Sequence, residues 1–129
     1  MKKIAISMRN RVFMESIFLM LKQTDNFRPI GITSLSDDVI IETCLAENPE
    51  IFFMDVTPGL PETGMTARLS IIESLRSKLP NCRFVLLCDE TAYPDLAKEV
   101  MRARQSRQID AFFYASVTAD YLMAALNSL

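Results

Sequence analysis

Five short apolar runs divide the chain: Ile4-Ala5-Ile6, Ile30-Gly31-Ile32, Ile51-Phe52-Phe53-Met54, Phe84-Val85-Leu86-Leu87-Cys88 and Ala111-Phe112-Phe113-Tyr114-Ala115. The last three are continuous rather than alternating, the pattern of strands covered on both faces of a parallel sheet. The second alternates weakly and carries Pro29 and Gly31, which suits an edge strand. Between the runs, apolar positions recur at helical spacing. Phe13, Ile17, Met20 and Leu21 predict one helix face; Val39, Ile40, Cys44 and Leu45, behind a Ser36 cap, predict a second. Leu69, Ile72, Leu75 and Leu79 mark a third, stopped by Pro80-Asn81. Leu96, Ala97, Val100 and Met101 follow Pro94, a residue favoured in a first helical turn. Leu122, Ala125, Leu126 and Leu129 follow Thr118, a plausible cap.

Strand starts at 4, 30, 51, 84 and 111 make one β–α unit recur every 21 to 33 residues. Five such units predict a parallel sheet with helices on both faces, because right-handed crossovers are close to obligatory. No linker or internal repeat interrupts them, so 1–129 is expected to form one domain.

Composition narrows the chemistry. Half of the 129 residues are hydrophobic and 23% are charged, which excludes a disordered chain. With no histidine there is no Ser-His-Asp or Cys-His unit, no imidazole metal ligand and no phosphohistidine carrier. Sixteen acids against 14 bases give −2, no electrostatic case for nucleic acid or an anionic membrane as main partner. Cys44, Cys82 and Cys88 are odd in number and lack a C-x-x-C pair, so free reduced thiols in a cytoplasmic protein are expected. Arg9, Asn10 and Arg11 end the first apolar stretch too early for a leader peptide. No apolar run approaches the roughly 18 residues of a membrane span. Gly31, Gly59 and Gly64 cannot form either glycine-rich phosphate loop.

Open parallel sheets bind ligands beyond the carboxyl ends of their strands. Those ends carry Ser7, Met8, Arg9 and Asn10; Asp55-Val56-Thr57-Pro58-Gly59; Cys88-Asp89-Glu90; and Ala115-Ser116. Asp55 stands out, a carboxylate placed directly after Ile-Phe-Phe-Met. It is read either as a functional group at the rim or as a cap for the following loop. Helix one has eight apolar residues in the ten positions from Val12 to Leu21, more than one buried face needs. Some of Met14, Phe18 and Leu19 should therefore face outward and offer a contact to another chain. Arg102, Arg104 and Arg107 are read as cations around the last turn of the fourth helix.

The five-unit order, the Ile51–Asp55 strand, the Pro58-Gly59 to Gly64 loop and the Ile109-Asp110-Ala111-Phe112-Phe113 stretch resemble the receiver domain of two-component response regulators. The resemblance covers essentially the whole chain. It implies a flavodoxin-like (βα)5 three-layer α/β sandwich with parallel sheet order 2-1-3-4-5. It also implies that Asp55 occupies the position of the phosphoacceptor, which takes a phosphoryl group from a histidine kinase. In that family two acids after the first strand help hold Mg²⁺, a Ser or Thr ends the fourth strand and a lysine ends the fifth.

This chain departs from that pattern. Met8 and Arg9 stand at the acid pair, Cys88 at the hydroxyl and Ala115 at the lysine, and no lysine follows Lys98. Thr57 and Asp89 complete the rim, and Phe112 aligns with the aromatic switch position. Pro58 comes three residues after Asp55 instead of four, and Arg104-Gln105-Ser106-Arg107-Gln108 is a polar insert. Replacing two carboxylates by a thioether and a guanidinium turns two negative charges into one positive, so an Arg9–Asp55 charge pair is expected in place of a metal. The expected function is a non-enzymatic signalling module acting by protein–protein contact, independent of phosphorylation and without a cofactor. Its partner would be a histidine kinase, an output domain or a second copy. One alternative is a competent phosphoacceptor using Mg²⁺ and Asp55; another is a flavodoxin-like cofactor-binding domain or enzyme.

Overall fold

The computed structural model describes residues 1–129. Strands and helices alternate along the chain without exception: β1 (Lys2–Ser7), α1 (Arg11–Lys22), β2 (Phe27–Gly31), α2 (Asp37–Glu47), β3 (Ile51–Asp55), α3 (Met65–Arg76), β4 (Arg83–Cys88), α4 (Pro94–Gln105), β5 (Ala111–Tyr114) and α5 (Ala119–Asn127). All neighbouring strands pair parallel, in the order β2-β1-β3-β4-β5. The expected flavodoxin-like architecture is therefore the observed one. No helix is long and apolar enough to cross a membrane.

The continuous apolar strands serve two cores at once. Ile4, Ile6, Ile51, Phe53, Val85 and Leu87 point toward α1 and α5, where Ile17, Leu21, Leu122 and Leu126 complete one cluster. Ala5, Phe52, Met54, Phe84, Leu86 and Cys88 point the other way, onto Ile40 and Cys44 of α2, Ile71, Ile72 and Leu75 of α3, and Val100 of α4. Alternation between these sets is the period of two along a strand, with both faces apolar because both are covered. β2, which contains Pro29, lies at an edge.

The helix faces differ from the sequence reading in detail. On α1 the inward residues are Met14, Ile17 and Leu21, while Phe13 is exposed. Asn10 caps the helix, its side chain accepting from Phe13 N–H at 3.0 Å, and Met14, Ile17 and Leu21, at helical spacing, are the positions packed into the core. Phe18 is half-buried, and the exposed apolar residues are Val12 (73% exposed), Phe13 and Leu19 (58%). On α2 only Ile40 and Cys44 are buried, with Val39 and Leu45 turned out, and Ser36 is the N-cap without a side-chain bond. Thr118 caps α5, accepting from Tyr121 N–H at 3.2 Å.

Candidate functional site

The reversal of strand order falls between β1 and β3, and their carboxyl ends bring Ser7 and Asp55 side by side. Asp55 is the last residue of β3 and is 9% exposed. Its Oδ1 accepts from Arg68 Nη2 at 2.9 Å. The Arg9 backbone N–H reaches both carboxylate oxygens, at 3.3 Å for Oδ1 and 3.1 Å for Oδ2. Arg68 stands in the first turns of α3 and is completely enclosed, at 0% exposure. Besides the carboxylate it grips three other oxygens. Nε donates to the Asp55 carbonyl at 2.8 Å, Nη1 to Ser7 Oγ at 3.1 Å, and Nη2 to the Ser7 carbonyl at 3.0 Å. One guanidinium thus ties the ends of β1 and β3 to α3.

The expected pairing of the Arg9 side chain with Asp55 is not what the structure contains. Arg9 contributes its amide, while its guanidinium turns outward to Glu62 Oε2 at 3.3 Å. Arg68 is the counter-charge instead, because it approaches from beneath the rim and meets the carboxylate out of water. Burial pushes the Arg68 guanidinium below its usual pKa, and the attraction and hydrogen bond of Asp55 pull it back up. A guanidinium remains charged at neutral pH under such opposing shifts.

The β3–α3 loop fixes where α3 begins. Thr57 N–H donates to the Thr63 carbonyl at 2.8 Å and the two threonine hydroxyls are bonded to each other. Gly59 takes a positive φ of 75°. Gly64 is the N-cap of α3, and a Cβ there would sit 3.0 Å from the Leu60 carbonyl oxygen. With the loop closed in this way, Arg68 falls one turn into the helix, aimed at Asp55.

The remaining rim residues separate into two groups. Met8 and Cys88 belong to the core: Met8 packs with the α1–α5 cluster and Cys88 with the α2–α4 cluster, beneath the rim rather than on it. Both are apolar in practice: Met8 directly follows β1 and Cys88 is the last residue of β4, and both are buried. Burial, with the nearby Glu90 and Asp89 charges adding to it, pushes the Cys88 thiol up to about 11, so it stays protonated. Thr57 is half-buried in its loop, Asp89 and Ala115 are exposed, and Asp89 Oδ1 caps a turn by accepting from Ala92 N–H at 3.0 Å. Glu90 Oε2 is enclosed without a hydrogen-bond partner. Phe112 is half-buried against the α2–α4 cluster, its ring 5.5 Å from that of Tyr114. No group of three or more His, Cys, Asp or Glu side chains converges to hold a metal ion.

This architecture superposes on solved structures along nearly its whole length. A DNA-binding response regulator of the LuxR family from Staphylococcus aureus matches with a TM-score of 0.77 at 14% identity, over 99% of this chain and 98% of that one. The fold is that of a response-regulator receiver domain. A receiver-domain protein from Clostridium thermocellum matches at 0.72 and 18% identity, over 99% and 93% of the two chains. The inactive form of the regulatory domain from the repressor of iron transport regulator matches at 0.74 and 16% identity, over 99% and 94%. No family model and no curated protein matches the sequence. In the receiver fold the end of β3 and the end of β1 are where Asp55, Arg9 and Ser7 stand, and Arg68 is the residue that sequence reasoning missed. A signal for it existed. The buried α3 positions Ile71, Ile72 and Leu75, continued one turn back, lead to position 68.

Proposed function

We propose that this chain is a signalling module with a receiver scaffold, acting by contact with other proteins and holding Asp55 in an internal ion pair instead of using it for phosphoryl transfer. The observation that carries this reading is the enclosed Arg68, bonded to Asp55 and Ser7 at four oxygens. Such a pair occupies the nucleophile. One carboxylate oxygen faces the guanidinium and both face the Arg9 amide, so attack on a phosphoryl group requires breaking bonds that are sheltered from water.

The Mg²⁺ that the receiver fold implies does not suit these residues. A hard divalent cation needs several oxygen ligands, chiefly carboxylates and water. Beside Asp55 the chain instead offers an amide N–H and a guanidinium at 2.9 Å, while Met8 is turned into the core. Bringing a second positive charge there would set it against Arg68 in a poorly solvated corner. The hydroxyl and lysine that would receive a phosphoryl group are replaced by the Cys88 thiol and Ala115. Arg68 supplies permanently the positive charge that a metal would bring transiently.

Its partners in this reading are proteins, a histidine kinase or an output domain among them, met in the cytoplasm. Support comes from Val12, Phe13 and Leu19 on α1, apolar side chains left exposed in this chain. Incubating the purified chain with acetyl phosphate and Mg²⁺, followed by intact-protein mass spectrometry, tests the proposal. The expected result is no phosphoryl adduct on the native chain. Stoichiometric labelling that disappears in Asp55→Asn would establish the competent phosphoacceptor instead.

A further inference from the structure

At the amino ends of the strands, opposite Asp55, four arginines from three stretches of the chain line one hollow. Arg76 ends α3, Arg83 opens β4, Arg104 lies in the last turn of α4 and Arg107 follows that helix. They line a concavity of about 590 Å³ whose one acidic side chain is Asp110. Asp110 is already engaged, its Oδ2 accepting from Phe84 N–H at 2.8 Å and facing Arg76 at 3.6 Å. Arg76 also donates to the Gln108 carbonyl at 2.8 Å and lies over the Phe84 ring at 5.1 Å, so it forms a fixed wall. The Leu129 backbone oxygen, at the edge, is taken by Lys2 Nζ. Arg83, Arg104 and Arg107 are exposed and have no ion-pair partner in the chain.

Cations in the last turn of a helix answer its dipole, and that accounts for Arg76 and Arg104. It does not account for Arg83, on a strand, or for Arg107. Arg107 holds a φ of 63°, a left-handed conformation in which a side chain is strained and glycine is the usual occupant. Side-chain charge in the concavity amounts to four arginines and one aspartate, or +3; against a chain total of −2 this leaves −5 for the rest. A second hollow of about 490 Å³ adjoins it, sharing Arg76 and Arg107 and carrying Glu73 as its acid.

We propose that this basal concavity binds a small multivalent oxyanion of the polyphosphate type, clasped by Arg83, Arg104 and Arg107 against the Arg76 wall. Guanidinium forks match the oxygens of phosphate in paired hydrogen bonds, and three unpaired arginines lining one hollow suit a compact ligand of several charges. The size falls in the range of small-molecule sites, whereas a protein or nucleic acid would require an extended face. The inference does not depend on the state of Asp55.

Tripolyphosphate is the probe, added to the whole chain in calorimetric titration and thermal melting, with sodium chloride at matched ionic strength as control. Saturating tripolyphosphate is expected to raise the melting temperature by about 5 °C beyond that control. Arg104→Ser and Arg107→Gly are each expected to weaken binding by about tenfold or more. Arg107→Gly relieves the left-handed backbone and should melt no lower than the native chain, so its loss of binding reports on the guanidinium and not on unfolding. A response no greater than matched chloride overturns the proposal. So does binding that survives in the Arg104→Ser, Arg107→Gly double variant, or binding restricted to an acidic peptide or a nucleic acid.

Discussion

The two ends of the sheet use arginine in opposite ways. At the carboxyl end Arg68 is enclosed and bonded to fixed oxygens of Ser7 and Asp55. At the amino end Arg83, Arg104 and Arg107 stand open to solvent without a partner in the chain. A buried guanidinium with every neighbour in place behaves as a structural bolt; its worth is felt when one neighbour is removed. An exposed one adds little to stability and keeps its hydrogen-bonding capacity for a ligand. The contrast separates a guanidinium paired within the protein from three that have no partner in the chain.

The sharpest way to break the comparison is Arg68→Ala. It leaves the Asp55 carboxylate charged and without its guanidinium in a closed space, and should destabilise the fold by about 3–5 kcal/mol. Urea unfolding checks this, and adding Asp55→Leu to an Arg68→Met background should recover part of the loss by removing the stranded charge. A smaller effect concerns the buried thiols. Burial, with a minor contribution from the neighbouring thiol, pushes Cys44 up to about 12, and burial, with Asp110 adding, does the same for Cys82. Their folded values lie above the unfolded one, so stability is fully present below pH 9 and falls as the unfolded thiols ionise while the folded ones stay protonated. Raising the pH from 8 to 10 should lower stability by about 1 kcal/mol per thiol, and Cys44→Ala should remove its share of that slope. The smallest effect belongs to Arg9→Ala. Its exposed contact with Glu62 should be worth less than about 0.5 kcal/mol, so denaturation midpoints for Arg9→Ala and Arg68→Ala should differ severalfold in shift. Equal shifts would erase the distinction between the two arginines at the rim.

The strand pattern was readable because each central strand is apolar on both faces, a run that water cannot interrupt. Helix starts were readable where a cap exists, as at Thr118 and Pro94. The face of α1 was harder, because eight apolar residues in ten positions fit several rotations, and packing against the sheet chooses among them. Asp55 announced itself by its position at the end of β3. Its counter-charge did not. Arg9 lies next to it in the sheet, yet a backbone amide can satisfy a carboxylate as well as a side chain can, which freed the Arg9 guanidinium for Glu62. Arg68 was hidden because a charged residue within an apolar stripe is ordinarily taken to point outward, while only the tertiary fold supplies the four oxygens that let it point in.

The Arg68 cluster also bears on the order in which the chain assembles. Ser7 and Arg68 are 61 residues apart, and their contact needs β1, β3 and α3 all seated before the guanidinium can leave water. Closing so long a loop carries an entropic cost that the pair cannot offset until its oxygens are aligned. The Arg68 contacts are therefore expected to form late. Arg68→Ala should then raise the unfolding rate more than it lowers the refolding rate, which stopped-flow kinetics in urea checks; such late contacts lengthen the lifetime of a folded domain without hastening its formation.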